Sequence, residues 1–427
     1  MSNRDIKVIV FYRGFLKERA GGPSTYLYNL YKALREEYTV ESDGTIYIPQ
    51  KEMRIRFISL GFPEKNLSKE FIRSRMFRRL KDFLKNGNLP FSSYLLSYSC
   101  FHLQEERRFL NFKKYKDYFK NADMVHFHFV LDLYLMRRVV DKDSIKILTV
   151  HSPETLTSEL PKNNFWLKLN KKLQIMEQKA FQMADTYIYP SYSSLENHLD
   201  SFSYLKTLMS IKKVFYCPTG ISKLPVTTSK EEVRKTLNIP TKAFVISYIG
   251  RHIPVKGFDI LADSLLNILN SGKELYLISA GKGELINSYR NNSLLQGYWK
   301  HIEWTETPGD LINASDCFIL PDRKCFFDLT LLEAMSVGIP IIASNVGGNV
   351  YVASKSKGII LTDSNVKDLT EAILKMSMLS EREKELLGKS NIKAFEEFFS
   401  LKVFAKNYVD TLADIYRVHQ RVLRKRE

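Results

Sequence analysis

The chain has 427 residues, 44% of them hydrophobic and 26% charged, which is enough for two ordinary domains and excludes a disordered polymer. No apolar run reaches the ~18–20 residues that span a bilayer, so a transmembrane helix is not expected. The net charge of +17 lies mainly in residues 1–222, where 36 Lys and Arg face 23 Asp and Glu, and it favours an anionic partner, with lipid phosphate ranked ahead of nucleic acid.

The N-terminal end and the cysteines indicate a cytoplasmic protein. Residues 1–7 lead into a strand-like run without a signal-peptide pattern. Cys100, Cys217, Cys317 and Cys325 are too widely spaced for a zinc-binding pair, and a disulfide framework is not expected in a chain of this length. We therefore expect reduced thiols.

Strand-like and helical patterns alternate along the first half of the chain. Short apolar runs predict buried strands at residues 6–11, 124–130, 145–150 and 186–189, and helical spacing predicts helices at 23–37 and 163–183. Strands that alternate with helices are typical of a parallel sheet covered on both faces.

The same alternation restarts after a break at Pro218-Thr219-Gly220 and the polar stretch 225–232. It predicts strands at 243–249, 275–279, 317–320 and 339–343, and helices at 258–270, 329–337 and across the charged tail 381–424. The fold class is therefore α/β with two similar domains. Ligands of such sheets bind beyond the carboxyl ends of the strands, so we expect the site in the crevice between the two domains.

The first candidate site follows the strand that ends near Gly250. Arg251 and Lys256 lie in the loop between that strand and the next helix. An arginine fork and a mobile lysine charge together suit a diphosphate. The alternative is a solvated loop with incidental charges.

The second candidate site lies around the helix that begins near Leu329. Unpaired backbone N–H groups at a helix start suit phosphate or sugar oxygens. Glu333 sits among apolar neighbours in that helix and needs a partner, for which a ribose diol is suitable. The alternative is a glutamate on the exposed helix face.

Two weaker signals come from the first half. Gly21 and Gly22 precede a predicted helix and would allow a phosphate to approach the backbone, although a Gly-Gly pair is more often only a turn. His151 follows a buried strand and can bond a substrate hydroxyl. His126 and His128 alternate along another strand, and we interpret them as packed structural histidines.

The ordered set of these segments resembles the family-four glycosyltransferases, which are retaining transferases with the GT-B fold. The resemblance rests on Gly21-Gly22, His151, Pro218-Thr219-Gly220-Ile221, Gly250-Arg251, Lys256-Gly257-Phe258-Asp259, Ala280-Gly281-Lys282-Gly283, residues 329–340 and Val346-Gly347-Gly348-Asn349. It implies two Rossmann-like domains facing each other across a central cleft. Residues 1–222 would form the acceptor domain, 223–395 the nucleotide-sugar domain, and 396–427 a helical tail returning to the first domain.

The resemblance also implies roles for individual residues. Arg251 and Lys256 would hold the diphosphate of a nucleotide-sugar, expected to be UDP-linked, and Glu333 the ribose hydroxyls. His151 would contact the reacting centre. The remaining expected donor contacts are Gly21, Gly22, Phe327, Asp328, Leu329 and Thr330, with the base near residues 303–306. No metal and no cofactor beyond this co-substrate are expected, because the cations take the metal's role.

One position departs from the family pattern of two glutamates separated by seven residues. Counting back from Glu333, the first glutamate is replaced by Cys325, and Asp328 stands where a glycine is usual. Asp328 would take over part of the lost role, the donor sugar would differ, or activity would be lost. The main prediction is a retaining glycosyltransferase of surface polysaccharide synthesis, and the alternative is a non-catalytic GT-B partner subunit.

Two basic amphipathic segments favour a peripheral position on the cytoplasmic membrane face. Residues 69–85 and 107–120 interleave apolar residues with Lys and Arg at helical spacing. Such helices can lie in an anionic membrane interface, or pack as ordinary helices on the domain. No nucleic-acid-binding motif accompanies the charge, so nucleic acid is not expected as a partner.

Overall fold

The structure is a computed structural model that describes residues 5–14, 16–18, 22–59, 116–152, 154–156 and 164–424. By its internal contacts the chain divides into two compact units. Unit 1 comprises Met1–Tyr189, Leu199–Cys217 and Tyr408–Glu427, and unit 2 comprises Pro190–His198 and Pro218–Asn407. These ranges differ from the predicted domains in three respects: a short segment after Tyr189 joins unit 2, unit 2 resumes at Pro218 and not at residue 223, and unit 1 regains the chain at Tyr408 and not at residue 396.

Unit 1 is built on an eight-stranded sheet with the order β2-β3-β4-β1-β5-β6-β7-β8. Its strands are β1 Ile6–Tyr12, β2 Thr39–Val40, β3 Ile46–Ile48, β4 Met53–Ser59, β5 Met124–Phe127, β6 Ile145–Thr149, β7 Thr186–Tyr189 and β8 Lys213–Tyr216. Strand β1 pairs in parallel with β4 and β5, and Val8 to Phe11 are fully buried, as expected for a strand covered on both faces. The strands β2, β3 and β4 pair antiparallel at one edge.

Unit 2 contains a six-stranded sheet with the order β11-β10-β9-β12-β13-β14, and every pairing in it is parallel. Its strands are β9 Val245–Ile249, β10 Tyr276–Ala280, β11 Trp299–Ile302, β12 Cys317–Leu320, β13 Ile341–Ser344 and β14 Ile359–Thr362. The chain winds outward from β9 through β10 to β11, and then outward on the other side from β12 to β14. The order therefore reverses between β9 and β12, the place where α/β sheets bind ligands.

Helices connect the strands in both units. In unit 1 and its connections they are α1 Gly22–Glu37, α2 Lys116–Phe119, α3 Val130–Met136, α4 Asn164–Met183, α5 Tyr192–Ser201 and α6 Ser203–Ile211. They continue as α7 Lys230–Thr236, α8 Phe258–Asn270, α9 Ile286–Arg290, α10 Ser293–Tyr298, α11 Pro308–Asn313, α12 Leu329–Val337, α13 Gly348–Ala353, α14 Val366–Ser377, α15 Glu381–Phe398 and α16 Leu401–Arg424. The predicted alternation and parallel pairing are confirmed for the central strands.

The predicted elements fail where the local signal is short. The strand predicted at 124–130 ends at Phe127, because Val130 already starts α3. The strands β2, β3, β4, β8, β11 and β14 were not predicted. Runs of two to seven residues with mixed polarity, such as Met53–Ser59, are paired by tertiary contacts that periodicity alone does not reveal.

Among the described residues, no helix is both long enough and apolar enough to cross a bilayer. The two basic segments at 69–85 and 107–120 lie outside the described residues, except for 116–120 at the end of the second. Within that remainder, Lys116–Phe119 form α2 and Phe119 is buried against Phe11, so this end of the segment packs on the sheet.

Candidate active site

The loop after β9 presents Arg251 to solvent and fixes its backbone. The Tyr248 hydroxyl donates to the Arg251 carbonyl at 2.6 Å, and the Gly250 amide donates to the Ala280 carbonyl at 2.9 Å. Arg251 itself is exposed, whereas the adjacent His252 is fully buried. The guanidinium therefore stands on an anchored loop at the carboxyl end of the strand.

Gly257 brings this loop onto the end of the neighbouring strand. It follows a 3-10 turn over Pro254–Lys256 and adopts φ +64°, a left-handed conformation that favours glycine. A Cβ on Gly257 would meet the Pro321 carbonyl oxygen at 1.9 Å. Only glycine permits this approach, and it places Lys256 beside the residues that follow β12.

Lys256 is paired with two carboxylates there. Its ammonium lies 3.2 Å from Asp322 Oδ2 and also contacts Asp328 Oδ2. The three side chains are 24%, 0% and 13% exposed, in the order Lys256, Asp322 and Asp328. Lys256, which the sequence predicts to bind the diphosphate, therefore already has its positive charge paired with two carboxyl groups of the protein.

Burial and mutual attraction set the protonation of this cluster. Burial alone would lower the pKa of Lys256, but Asp328 and Asp322 raise it above its ordinary value. Burial alone would raise the pKa of Asp328, but Lys256 lowers it. Burial raises the pKa of Asp322, and the nearby Asp328 carboxylate raises it further. The arrangement favours an ionised Lys256–Asp328 pair, and it leaves the pKa of Asp322 above its ordinary value although Lys256 acts to lower it.

Cys325, which replaces the expected glutamate, is a buried thiol. Its Sγ donates to Asn349 Oδ1 at 3.2 Å, and burial raises its pKa well above the ordinary value. Ligand atoms of Asp322, Cys325 and Asp328 lie within 4.8 Å of one another, as a metal site would require. The Lys256 ammonium contacts both carboxylates, however, and a protonated thiol is a poor ligand, so this donor set does not fit a metal.

Helix α12 begins at this cluster. Asp328 is its N-cap, and its Oδ1 accepts from the Thr330 amide at 3.0 Å. The Thr330 N–H, predicted to meet a phosphate or sugar oxygen, is therefore bonded to Asp328 instead. Glu333 lies one turn further on and is half-buried. Phe327, Asp328, Leu329 and Thr330 are all half-buried at this helix start, and their contact with a donor remains a prediction.

The loop at Cys325 and Phe326 is held by residues that the sequence analysis did not single out. Ser194 Oγ donates to the Phe326 carbonyl at 2.6 Å, and Asn197 Nδ2 donates to the Cys325 carbonyl. Both belong to the short segment of unit 2 that follows β7. No local pattern could reveal this contact, because the partners are 132 and 128 residues apart.

Asp322 was also missed, although a signal was present. It directly follows Pro321 at the carboxyl end of β12, where site residues of parallel sheets are found. The sequence pattern predicts a carboxylate at position 325, where Cys325 stands, and offers Asp328 in its place. The structure places a further carboxylate, Asp322, three residues before Cys325.

In unit 1, His151 follows β6 at its carboxyl end and is half-buried. Its Nε2 lies 3.2 Å from His128 Nδ1, and its ring packs edge-on against Tyr26 with centroids 4.7 Å apart. Burial lowers the pKa of His151 to about 3, so it is neutral at pH 7. Gly22 starts α1 with φ +53°, whereas Gly21 lies outside the described residues.

A protein family matches part of the second half of the chain. Residues 229–391 match the family described as glycosyl transferases group 1. The matched region contains Arg251, Lys256, Asp328 and Glu333, so the described cluster lies within it.

Curated glycosyltransferases are similar over part of the chain. The UDP-Gal:alpha-D-GlcNAc-diphosphoundecaprenol alpha-1,3-galactosyltransferase of Escherichia coli is 25% identical over 184 residues, covering 39% of this chain and 48% of that enzyme. The capsular polysaccharide biosynthesis glycosyltransferase CapM of Staphylococcus aureus is 27% identical over 41% of this chain and 46% of its own length. The chain thus aligns with about half of the length of these relatives.

Solved structures match over nearly the whole chain and show the GT-B fold. Sucrose-phosphate synthase from Thermosynechococcus elongatus superposes with a TM-score of 0.61 at 16% identity, covering 97% of this chain and 100% of that one. Anabaena HepE in complex with UDP-glucose gives a TM-score of 0.60 at 14% identity, covering 96% and 100%. At these identities the likeness concerns the fold alone, and the fold class predicted from the sequence is confirmed.

Proposed function

We propose that this protein is a retaining glycosyltransferase that moves a sugar from a UDP-linked donor to a glycan or lipid-linked acceptor during surface polysaccharide synthesis. The observation that carries the proposal is the place of Arg251 and Lys256. Both lie in the loop that follows β9, and the strand order reverses between β9 and its neighbour β12, where α/β folds bind nucleotides.

The donor diphosphate is the ligand that best suits these cations. Arg251 offers an exposed planar fork from an anchored loop, and Lys256 adds a second charge that Asp328 and Asp322 hold in place. As the glycosidic bond breaks, negative charge grows on the leaving diphosphate. Fixed positive groups stabilise the transition state, in which this charge develops, more than they stabilise the ground state. This difference lowers the barrier.

The other predicted residues take supporting roles. Glu333 on α12 would accept from the ribose hydroxyls, and Gly22 would admit the donor close to the backbone. Asp328 pairs with Lys256 and caps α12. Its carboxylate would therefore orient the Lys256 ammonium toward the diphosphate and would also face the sugar. No step in this scheme needs a metal. The similar Escherichia coli galactosyltransferase is named for a UDP-sugar donor and a diphosphoundecaprenol acceptor, which supports the donor and acceptor classes proposed here.

One observation favours the alternative of a non-catalytic partner subunit, namely the replacement of the first glutamate by Cys325. A catalytic site could lose a contact to the donor sugar through this change. The neighbouring Asp322 and Asp328 keep carboxylates in the same loop, which favours a working site with a different sugar contact.

The experiment is a panel of UDP-, GDP- and dTDP-sugars incubated with the purified chain, with nucleotide release and product anomer followed by NMR. Thermal unfolding on the same panel reports binding, because a ligand at 100 times its Kd adds ~2.7 kcal/mol of stability. We expect release from one UDP-sugar with the anomeric configuration kept. Binding without release would support the partner subunit, and inversion would refute the retaining mechanism.

Membrane association is a separate part of the proposal and has its own test. The basic segments at residues 69–85 and 107–120 predict binding to vesicles that contain anionic lipid, weakening as salt rises. Equal binding to neutral and anionic vesicles, or none, would refute it.

A further inference from the structure

A group of three histidines lies at the carboxyl ends of β5 and β6 in unit 1. His126 and His128 are 0% and 1% exposed, and their ring centroids are 4.0 Å apart. His128 Nδ1 faces His151 Nε2 at 3.2 Å, and the Tyr26 ring packs against both of these imidazoles. His151 is the residue predicted to contact the reacting centre. The orientation of its ring depends on its contacts with His128 and Tyr26.

The hydrogen bond between His128 and His151 can form in two ways. Burial lowers the pKa of both histidines, that of His151 to about 3, so each ring carries one proton at pH 7. Either His128 donates from Nδ1, or His151 donates from Nε2. The two arrangements place the second nitrogen of each ring in opposite states, because a neutral imidazole has one donor and one acceptor.

The second nitrogen of His128 decides between them. His128 Nε2 is fully buried and has no hydrogen-bond partner among the described residues. If His151 were the donor, His128 would carry its proton on this Nε2, and a buried N–H without an acceptor would result. Such groups are rare, because the donor loses its hydrogen bond to water and gains none in return. If His128 donates from Nδ1, its Nε2 carries only a lone pair. Proteins leave a buried acceptor without a partner more readily than a buried N–H donor.

His126 does not compete for this bond. Its Nδ1 lies 2.8 Å from the Tyr408 hydroxyl, and its Nε2 lies 2.8 Å from Thr149 Oγ1. Both of its nitrogens are therefore used. The His128 Nδ1 proton has His151 Nε2 as its acceptor, and the edge-on contact with Tyr26 holds the His151 ring in that orientation.

We propose that His128 is a positioning residue that fixes the tautomer of His151, so that His151 carries its proton on Nδ1 and acts as a hydrogen-bond donor. This inference rests on the proposed function for its catalytic meaning. A donor at Nδ1 would bind an acceptor oxygen of the transferred sugar, such as a hydroxyl oxygen. His151 would not remove a proton from the hydroxyl of the acceptor substrate, because its Nδ1 carries the proton and its Nε2 lone pair accepts from His128.

The tautomer can be read directly by NMR of the whole chain labelled with 15N at histidine. Protonated and unprotonated ring nitrogens differ in 15N shift and in coupling to the ring protons. The His151 signals among the eight histidines are assigned by their loss in His151→Gln. We expect a protonated Nδ1 and a bare Nε2 at His151. The reverse pattern would overturn the proposal.

Two variants at His128 test its role in positioning. In His128→Asn the side-chain amide N–H can replace the Nδ1 donor, and in His128→Leu no donor remains. We expect the Asn variant to keep the His151 spectrum, and the Leu variant to show mixed tautomers. An unchanged His151 spectrum in folded His128→Leu would refute the role. If the Leu variant does not fold, a tautomer change in His128→Asn would refute it instead.

The activity readout separates this inference from the proposed function. We expect kcat to fall by about 10–100-fold in His128→Leu and much less in His128→Asn, the range seen when a group that orients a functional histidine is lost. Wild-type protein that turns over no nucleotide-sugar would refute the proposed function and leave the tautomer result standing. Turnover in the wild type with equal loss in both variants would refute the positioning role.

Discussion

At the scale of single residues, Arg251 and Lys256 are not equivalent, although they were predicted as a pair. Arg251 is exposed, whereas Lys256 is paired with the buried Asp322 and the partly buried Asp328. Removing an exposed side chain from a loop changes stability little, but removing one member of a buried ion pair leaves the other charges unsatisfied. The two substitutions should therefore separate catalysis from folding.

We predict that Arg251→Ala lowers turnover by ~100-fold or more, as loss of a group that stabilises the leaving charge does, while its unfolding free energy changes by less than ~0.5 kcal/mol. Lys256→Ala should lose both turnover and about 3 kcal/mol of stability, because Asp328 and Asp322 lose their partner. Denaturant unfolding and nucleotide release measure the two effects.

Lys256→Met combined with Asp328→Asn should recover part of the stability, and a double variant no more stable than Lys256→Met alone would contradict the pairing.

At the scale of elements, a glycine decides how the β9 loop meets β12. Gly257 and Gly272 both have positive φ, of +64° and +80°. A Cβ on Gly257 would meet a backbone oxygen at 1.9 Å, whereas one on Gly272 meets nothing within 4 Å. Substitutions at these two glycines therefore separate the stability lost to the left-handed backbone conformation from the stability lost to the steric contact with Pro321.

We predict that Gly272→Ala costs ~1–2 kcal/mol of stability, the cost of a left-handed residue with a Cβ. Gly257→Ala should cost ~1–3 kcal/mol more, since the loop must also move away from Pro321. Because that movement displaces Lys256, turnover should fall in Gly257→Ala and stay near wild type in Gly272→Ala. Equal losses of stability in the two variants would show that the contact with Pro321 is unimportant.

Helix α4 carries a buried acid that makes stability depend on pH. Glu177 is 3% exposed, and its Oε1 accepts from the Leu156 amide at 3.1 Å. Burial raises the pKa of Glu177 from 4.5 to about 7. A raised pKa means that the folded state binds the proton more tightly, so this contribution is complete below pH 4.5 and is lost as pH rises through 7.

We predict that Glu177→Gln matches the wild type in unfolding free energy near pH 5 and exceeds it at pH 8. The gain follows because each tenfold change in proton affinity corresponds to ~1.4 kcal/mol of stability. The Gln amide oxygen keeps the hydrogen bond to the Leu156 amide. Denaturant unfolding between pH 5 and 8 measures it. Glu196→Gln, at an exposed position of α5, is the control and should follow the wild type throughout. A parallel pH profile for Glu177→Gln would contradict the assignment.

At the scale of the whole molecule, the chain crosses between the units more than once. Helix α16 begins in unit 2 and belongs to unit 1 from Tyr408 onward. Tyr408, Val409, Leu412 and Ile415 are at most 2% exposed, and Tyr408 bonds His126. The end of the sequence therefore completes the core of the unit in which the sequence begins.

We predict that a chain ending at Asn407 loses the cooperative unfolding of unit 1, because four buried side chains of ~1.5–3 kcal/mol each rival the whole stability of a domain. A chain ending at Arg417 keeps all four and should unfold like the full chain. Calorimetry and circular dichroism of the two truncated chains compare them. Normal unfolding of the shorter chain would show that the α16 contacts are dispensable.

The sequence by itself determined the α/β class, the parallel pairing of the central strands, and the place of Arg251, Lys256, Asp328 and Glu333 in the segments that follow β9 and β12. These follow from local periodicity and from short loops, which a single stretch of sequence carries. The short or edge strands β2 and β3 carry too few residues for such a signal, and their pairing was decided by neighbours.

The tertiary structure alone decided which charges are shared and which nitrogens are free. Asp322 meets Lys256 from 66 residues away, Ser194 holds the Phe326 loop from 132 residues away, and His128 meets His151 across two parallel strands. Hydrogen bonds and ion pairs act over about 3 Å in space regardless of separation in sequence. A residue type and its position on a strand therefore indicate where a site lies, while its protonation state follows from the partners that folding brings to it.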